Sequence, residues 1–224
     1  MRIWTIAAVL FALGAGQASA DTNAKPYNWT GVYVGAQAGY AIGESLYTNT
    51  DFPGEYVEYD PDGSFGGVYA GYNYQLPSNV VLGVEADLNL TPIEGSNVYW
   101  WIGIWPYETA SAEIKYTAAV RARIGYAMGR YMPYIAAGVA IAKYDFDFIT
   151  PAGHVYYQES ETLTGWNIGF GSEYAATDNL LIRAEYRYSD FGSAGFSQPD
   201  FFSIEDAHIN LATHDFRIGV AFKF

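Results

Sequence analysis

From Phe216 to Phe224 the chain alternates Phe, Ile, Val, Phe and Phe with Arg, Gly, Ala and Lys. A two-residue period gives a β-strand two unlike faces, because successive side chains point to opposite sides of the pleat. Seven upstream segments repeat the pattern. Residues 29–42 set Thr30, Val32, Val34, Ala36, Ala38, Tyr40 and Ile42 against Gly31, Tyr33, Gly35, Gln37 and Gly39. Residues 64–76 set Val68, Ala70, Tyr72, Tyr74 and Leu76 against Tyr69, Gly71, Asn73 and Gln75. Residues 80–90 set Leu82, Val84, Ala86, Leu88 and Leu90 against Gly83, Glu85, Asp87 and Asn89. Two carboxylates on one face of an otherwise apolar strand cannot point at hydrocarbon.

The next four segments follow suit. In 113–127, Ile114, Tyr116, Ala118, Val120, Ala122, Ile124 and Tyr126 oppose Lys115, Thr117, Ala119, Arg121, Arg123 and Gly125. In 132–142, Ile135, Ala137, Val139 and Ile141 oppose Tyr134, Ala136, Gly138 and Ala140, a weak contrast because both faces are apolar or small. In 162–174, Trp166, Ile168, Phe170 and Tyr174 oppose Gly165, Asn167, Gly169, Gly171 and Glu173. In 180–189, Ile182, Ala184, Tyr186 and Tyr188 oppose Arg183, Glu185 and Arg187. The eighth segment, 209–224, carries Asp215, Arg217, Gly219 and Lys223 on its polar face.

The connections alternate in length. Residues 77–79, 128–131 and 175–179 are short, whereas 43–63, 91–112, 143–161 and 190–208 are long and rich in Gly, Pro and acid. This predicts an all-β fold, an eight-stranded antiparallel up-and-down transmembrane β-barrel. Its apolar faces meet lipid, its polar faces line the lumen, its short turns are periplasmic and its long loops extracellular. An even strand count then puts both ends of the barrel in the periplasm.

Ahead of the barrel, residues 1–20 read as a cleaved signal peptide. Arg2 supplies the basic start, Ile3 to Leu13 the apolar stretch, and Ala18-Ser19-Ala20 the small-residue cleavage site. Residues 21–224 are then the exported barrel, and its address is the outer membrane of a Gram-negative cell. No later apolar run is long enough for a membrane helix, so strands must make any span. The absence of cysteine removes disulfides, thiol catalysis and Cys-ligated metals together. Tyr, with 21 residues, suits bilayer interfaces, and Gly, with 24, suits a crowded barrel interior. A net charge of −13 argues against nucleic acid as a partner.

Several stretches resemble one family. Trp29-Thr30-Gly31-Val32-Tyr33-Val34-Gly35 is similar to the opening strand of the small alphaproteobacterial outer-membrane proteins with an OmpA-like or opacity-type, porin-like barrel. Gly71-Tyr72-Asn73-Tyr74-Gln75 and Gly83-Val84-Glu85-Ala86-Asp87 resemble that family's second hairpin. Arg121-Ala122-Arg123-Ile124-Gly125-Tyr126, Arg183-Ala184-Glu185-Tyr186-Arg187-Tyr188 and the terminal Phe resemble its later strands. The resemblance spreads over all eight strands and misses the loops. It implies an abundant surface protein supporting the envelope, without an established enzymatic centre.

The candidate chemistry lies in three places. On the lumen faces Glu85, Asp87, Glu173, Glu185 and Asp215 nearly balance Lys115, Arg121, Arg123, Arg183, Arg187, Arg217 and Lys223. Eight strands leave an interior about wide enough for side chains to fill, so ion pairs plugging the lumen are expected, with an Arg-lined ion path as the alternative. The long connections hold most of the remaining acid. Asp60-Pro61-Asp62-Gly63 is too short for a calcium loop, and neither a dedicated metal site nor a cofactor is expected. The run holding Tyr99, Trp100, Trp101, Trp105 and Tyr107 is either an aromatic belt at the outer interface or a surface-binding loop. A hydrolase would need a base, and only His154, His208 and His214 offer an imidazole, with Ser189 and Ser203 as conceivable partners. The expected partners are outer-membrane lipid, lipopolysaccharide, an unidentified surface ligand, and the barrel-assembly machinery reading the last strand and Phe224. The functional expectation is a structural or surface-interaction role. A small-solute porin is the alternative, and a lipid-modifying enzyme a remote third.

Overall fold

The computed structural model describes residues 27–48, 56–59, 62–99, 108–149, 155–196 and 207–224. The expected signal peptide, Trp100, Trp101, Trp105, Tyr107, His154 and Ser203 lie outside them. The strands are β1 (Gly31–Thr48), β2 (Tyr56–Tyr59), β3 (Asp62–Gln75), β4 (Val80–Tyr99), β5 (Glu108–Tyr126), β6 (Tyr131–Ile149), β7 (Val155–Ala175), β8 (Leu180–Phe196) and β9 (Ala207–Lys223). Each pairs antiparallel with its neighbours, and β1 also pairs with β9 from Tyr33–Lys223 to Thr48–His208, which closes the sheet on itself. The pairs Ile42–Asp62 and Ser45–Tyr59 continue one register, so β2 extends β3 along the same side of β1. The wall is therefore an eight-stranded closed antiparallel barrel.

The period-two reading accounts for its faces. Val32, Val34, Val68, Val84, Leu88, Val120, Ile124, Ile135, Val139, Ile182, Ile218 and Val220 stand exposed around the outside. Such a band would be an aggregation hazard in water and is the expected coat in hydrocarbon. Tyr74, Tyr126, Tyr174 and Phe224 are exposed near the short turns, while Tyr40 and Trp166 are exposed toward the other end. The two groups match the aromatic girdles that mark bilayer interfaces. The turns are tight: Asn79 takes φ 65 and Gly129 φ 64, left-handed conformations that these residues accept most readily.

The structure departs from the sequence reading in two respects. First, stretches read as long loops are partly strand: β4 runs on to Tyr99, β6 to Ile149, and β7 begins at Val155. In β4 and β7 these stretches carry no regular hydrophobic alternation to mark them, whereas in β6 Tyr144, Phe146 and Phe148 alternate with Asp145 and Asp147, a strand signal that the loop reading passed over. Second, strand parity changes where a register shift lies between Ile114 and Tyr116. A bulge places two residues opposite one and turns the following side chains to the other face. Ile114, expected to face lipid, is 2% exposed inside the barrel. Lys115, expected in the lumen, has a side chain 49% exposed and pairs with Asp145 of β6.

The barrel wall is continuous only in its lower part. The β7–β8 ladder stops at Trp166–Asp190 and the β3–β4 ladder at Gly66–Leu90. Farther out, β4–β5–β6–β7 stay paired up to Tyr99–Glu108, Thr109–Ile149 and Ile149–Val155. On the other side β2, β1, β9 and β8 stay paired up to Thr48–Tyr56, Thr48–His208 and Phe196–Ala207. Two sheet leaves thus rise from one barrel.

Inside, three layers are stacked. Nearest the short turns, Tyr27, Trp29, Val81, Met132 and Leu181 form an apolar cluster with Tyr33 and Tyr69. Charged residues fill the middle. Toward the long connections, Ile114, Leu163, Phe191 and Leu211 with three alanines form a second apolar cluster. Room for large side chains in so narrow a tube comes from glycine on the facing strand. Tyr33 is paired with Gly71, Tyr69 with Gly35, Phe65 with Gly39, and Tyr134 with Gly171. A Cβ at Gly71 would lie 2.3 Å from the Tyr33 hydroxyl, and one at Gly171 2.8 Å from that of Tyr134. Each ring lies across its glycine, as in aromatic rescue of sheet glycines.

Candidate functional site

The middle layer is one connected network. Inward positions on β4, β5, β7, β8 and β9 supply its charges because strand alternation delivers every second side chain to the lumen. Glu173 accepts from Arg123 at 2.9 Å, and Arg123 reaches Glu85 at 3.0 Å. Glu85 also accepts from Arg121 at 2.5 Å and Arg183 at 2.7 Å. Arg121 continues to Glu185 at 2.8 Å, and Glu185 accepts from Arg187 at 3.1 Å. Arg187 holds Asp87 with two bonds of 3.0 Å. Arg217 closes the series, 3.4 Å from Asp87 and 2.5 Å from Asp215. Five arginines thus meet five carboxylates, all buried.

Several partners cross the lumen instead of joining neighbouring strands. Glu85 on β4 and Arg183 on β8 are not adjacent in the wall, nor are Asp87 and Arg187. Glu85 also bonds laterally to Arg121 and Arg123 of the neighbouring β5. Lys115 takes no part, for the parity reason given above. Lys223, also counted as inward, stands 5.2 Å above the Tyr27 ring at the turn end, far down β9 from Arg217.

Uncharged residues complete the network, and alternation alone did not single them out. Tyr33 donates to Glu85 at 2.8 Å and accepts from Arg123 at 2.5 Å. Tyr134 donates to Glu185 at 2.7 Å. Gln37 accepts from Arg183 at 2.5 Å and donates to Asn89 at 2.6 Å, and Asn89 donates to Asp87 at 2.8 Å. The Arg183 guanidinium lies 3.5 Å from the Tyr69 ring centre and that of Arg123 4.1 Å from Tyr134. Cation–π attraction strengthens as water is removed. The signal for the tyrosines was present in the sequence as inward Tyr on glycine-rich strands. Which glycine each would face required the register.

The turn end has its own closure. Trp29 is fully buried, donating its indole N–H to the Gly129 carbonyl at 3.1 Å and its backbone N–H to Gln75 Oε1 at 2.8 Å. Tyr27 packs edge-on against it at 4.9 Å and donates to the Asp178 carbonyl at 3.3 Å. Burial above all, with Glu173 second, pushes the Tyr27 phenol up to about 12, so it remains a donor across the physiological range. Above the charged layer lies a cavity of about 20 Å³ lined by Phe65, Ile114, Arg187, Phe191, Asp215 and Arg217 among others. It has room for about one water molecule.

The other candidates are dispersed. His214 faces outward, shares a 2.6 Å hydrogen bond with the Tyr186 hydroxyl, and sits 5.1 Å from the Tyr188 ring. Ser189 is buried on the lumen side, so the wall separates it from His214. The backbone of His208 pairs with Thr48 and Gly195. Tyr99 ends β4 opposite Glu108, and the rest of the aromatic run lies outside the described residues. Asp62 accepts a hydrogen bond from Tyr40. No cluster of His, Asp and Glu suited to a metal ion is found among the described residues. Phe224 is 72% exposed at the end of the closing strand, edge-on to Phe222.

Comparison with known proteins agrees with this architecture. The chain is 33% identical over 208 residues to a 31 kDa outer-membrane immunogenic protein of Brucella melitensis, covering 88% of this chain and 85% of the relative. A 25 kDa outer-membrane immunogenic protein of the same species is 30% identical, with 90% and 82% covered. A 22 kDa outer membrane protein of Rhizobium leguminosarum is 32% identical, with 75% and 67% covered. Among solved structures, the outer membrane protein OprG from Pseudomonas aeruginosa shares the fold, with a TM-score of 0.56 at 15% identity, covering 88% of this chain and 98% of that one. Its relatives place this chain in the outer membrane, the solvent that its exposed apolar band requires. A family model described as outer membrane protein beta-barrel domain matches residues 5–224, and the chain belongs to that family.

Proposed function

We propose that this protein is a plugged, non-conducting barrel that anchors an acidic extracellular surface in the outer membrane. The observation that carries the reading is the unbroken series of bonds from Glu173 to Asp215 across the lumen, with an apolar cluster on either side of it. An ion crossing this layer would have to separate buried charge pairs, and a buried guanidinium stripped of its carboxylate is strongly disfavoured. The role is structural and interactive, with no catalytic step. The acidic surface would share divalent cations with lipopolysaccharide, and the strand ending in Phe224 would be read by the assembly machinery. The immunogenic names of the Brucella relatives support a surface accessible from outside.

Planar-bilayer recording of the refolded protein tests the reading. A silent bilayer, with barrel content verified by circular dichroism, is expected. Stable and reproducible open steps would replace it with a small-solute porin.

A further inference from the structure

The split of the outer barrel leaves strand edges, and they are not equivalent. An edge presents a row of backbone N–H and C=O groups ready to pair with another chain, and proteins commonly blunt such edges with proline, bulges or charge. The edge of β4 from Thr91 to Tyr99 contains Pro92 and Gly95. The upper edge of β8 is bent by a bulge between Asp190 and Ser193, where Gly192 has φ 72 and donates to the Asp190 carboxylate at 2.9 Å. The edge of β7 is interrupted only at its outer tip, where a register shift leaves Tyr156 as an extra residue between Val155 and Tyr157, and its charges are the two acids Glu159 and Glu161. From Val155 to Leu163 it reads Val-Tyr-Tyr-Gln-Glu-Ser-Glu-Thr-Leu, with no proline or glycine and several residues that favour strands. It pairs with β6 on one side and, among the described residues, with nothing on the other. The seam begins at Thr164, whose carbonyl oxygen lies 3.9 Å from where a Gly192 Cβ would stand.

Charge selects the occupant. The lumen is neutral in sum, whereas residues 43–63, 91–115, 143–161 and 190–208 hold seventeen Asp and Glu against Lys115 and Lys143 alone. The negative charge of the chain is therefore concentrated in the part that bears the open edge. A second copy of β7 would bring Glu159 and Glu161 against their own kind, which opposes self-pairing. A basic segment meets the opposite field, which raises its encounter rate and favours its retention. We infer that the β7 edge, Val155 to Leu163, is a docking site for a basic, extended peptide segment of an external protein, which adds to the β4–β7 leaf as a further strand. This deepens the surface-interaction part of the proposed function and rests on it.

The test uses the mature protein refolded in detergent and two dye-labelled nine-residue peptides. Both alternate Lys with Val and Thr, but one is N-methylated at every second amide, so it keeps its charge and loses one row of donors. The unmodified peptide is expected to bind, and the methylated one at least about tenfold more weakly, since it has lost a row of main-chain donors. Amide exchange should slow at residues 155–163 and stay unchanged at 91–99. Equal binding of the two peptides would show that charge alone is at work and would overturn the proposal. Protection at the β4 edge, protection that grows with protein concentration without peptide, or no binding of either peptide would overturn it too. None of these outcomes touches conductance. A silent bilayer beside a failed peptide titration keeps the plug and removes the edge, and open steps beside a successful titration do the reverse.

Discussion

The lumen and the extracellular leaves are built from the same strands with the same carboxylates, yet they treat charge in opposite ways. Inside, five acids meet five arginines, and no carboxylate is left without a guanidinium within 3.4 Å. Outside, acids outnumber lysines in the sequence by a wide margin, and Lys115 pairs with Asp145 at the rim. The solvent makes the difference. A buried charge loses several kcal/mol of hydration and must recover it from partners, whereas a solvated carboxylate needs none and gains little from one. Pairing in this protein thus reports where water ends.

That contrast can be broken most forcefully at Glu85, which holds three arginines. Glu85→Ala should destabilise the barrel by about 3–5 kcal/mol in urea unfolding in detergent, because it strands buried guanidiniums. The double variant Glu85→Ala with Arg121→Ala should lose less than the sum of the single losses. Strictly additive losses would mean that the pairs contribute independently and would break the network. Next in size is Trp29→Ala, which empties a fully buried site at the turn end and should lose about 3 kcal/mol. It should leave the bilayer silent, because the charged layer lies above it, and conductance in this variant would relocate the plug to the turn end.

A smaller effect should come from glycine. Gly71→Ala drives a methyl group into Tyr33, the donor to Glu85, and should destabilise by about 1–3 kcal/mol, as overpacking does. Gly66→Ala serves as the control. It faces outward, where an added Cβ meets nothing nearer than 4.0 Å, and should unfold like the parent. The least effect belongs to Lys115→Ala. A partly exposed pair outside the membrane should be worth at most about 1 kcal/mol and should fade with salt. A loss comparable to that of Glu85→Ala would erase the distinction between the two regions.

Much of this architecture was legible before the fold was known. The lipid faces of Val32, Val84, Ile124 and Ile182 follow from alternation, because the bilayer and the lumen are different solvents and the sequence must answer both. The same rule placed Arg121, Arg123, Arg183, Arg187 and Arg217 inside. It worked even for residues 132–142, where the contrast was weak, since Tyr134 and Ala136 are buried and Ile135 and Val139 exposed. It failed at Lys115 because nothing in Ile114-Lys115-Tyr116 announces a bulge. It also missed the outer halves of β4 and β7, which carry no regular alternation, and that of β6, where Tyr144, Phe146 and Phe148 alternate with Asp145 and Asp147 inside a stretch read as a loop for its length and acidity.

What the sequence determined by itself is the sorting of side chains between hydrocarbon and lumen, since a period of two needs only local geometry. The identity of each partner was decided by the closed barrel. Glu85 reaches Arg183 across the lumen, and Tyr33 lies over Gly71, because closure and register set the height and angle of every strand relative to the others. Those are properties of the whole sheet, and no single strand contains them.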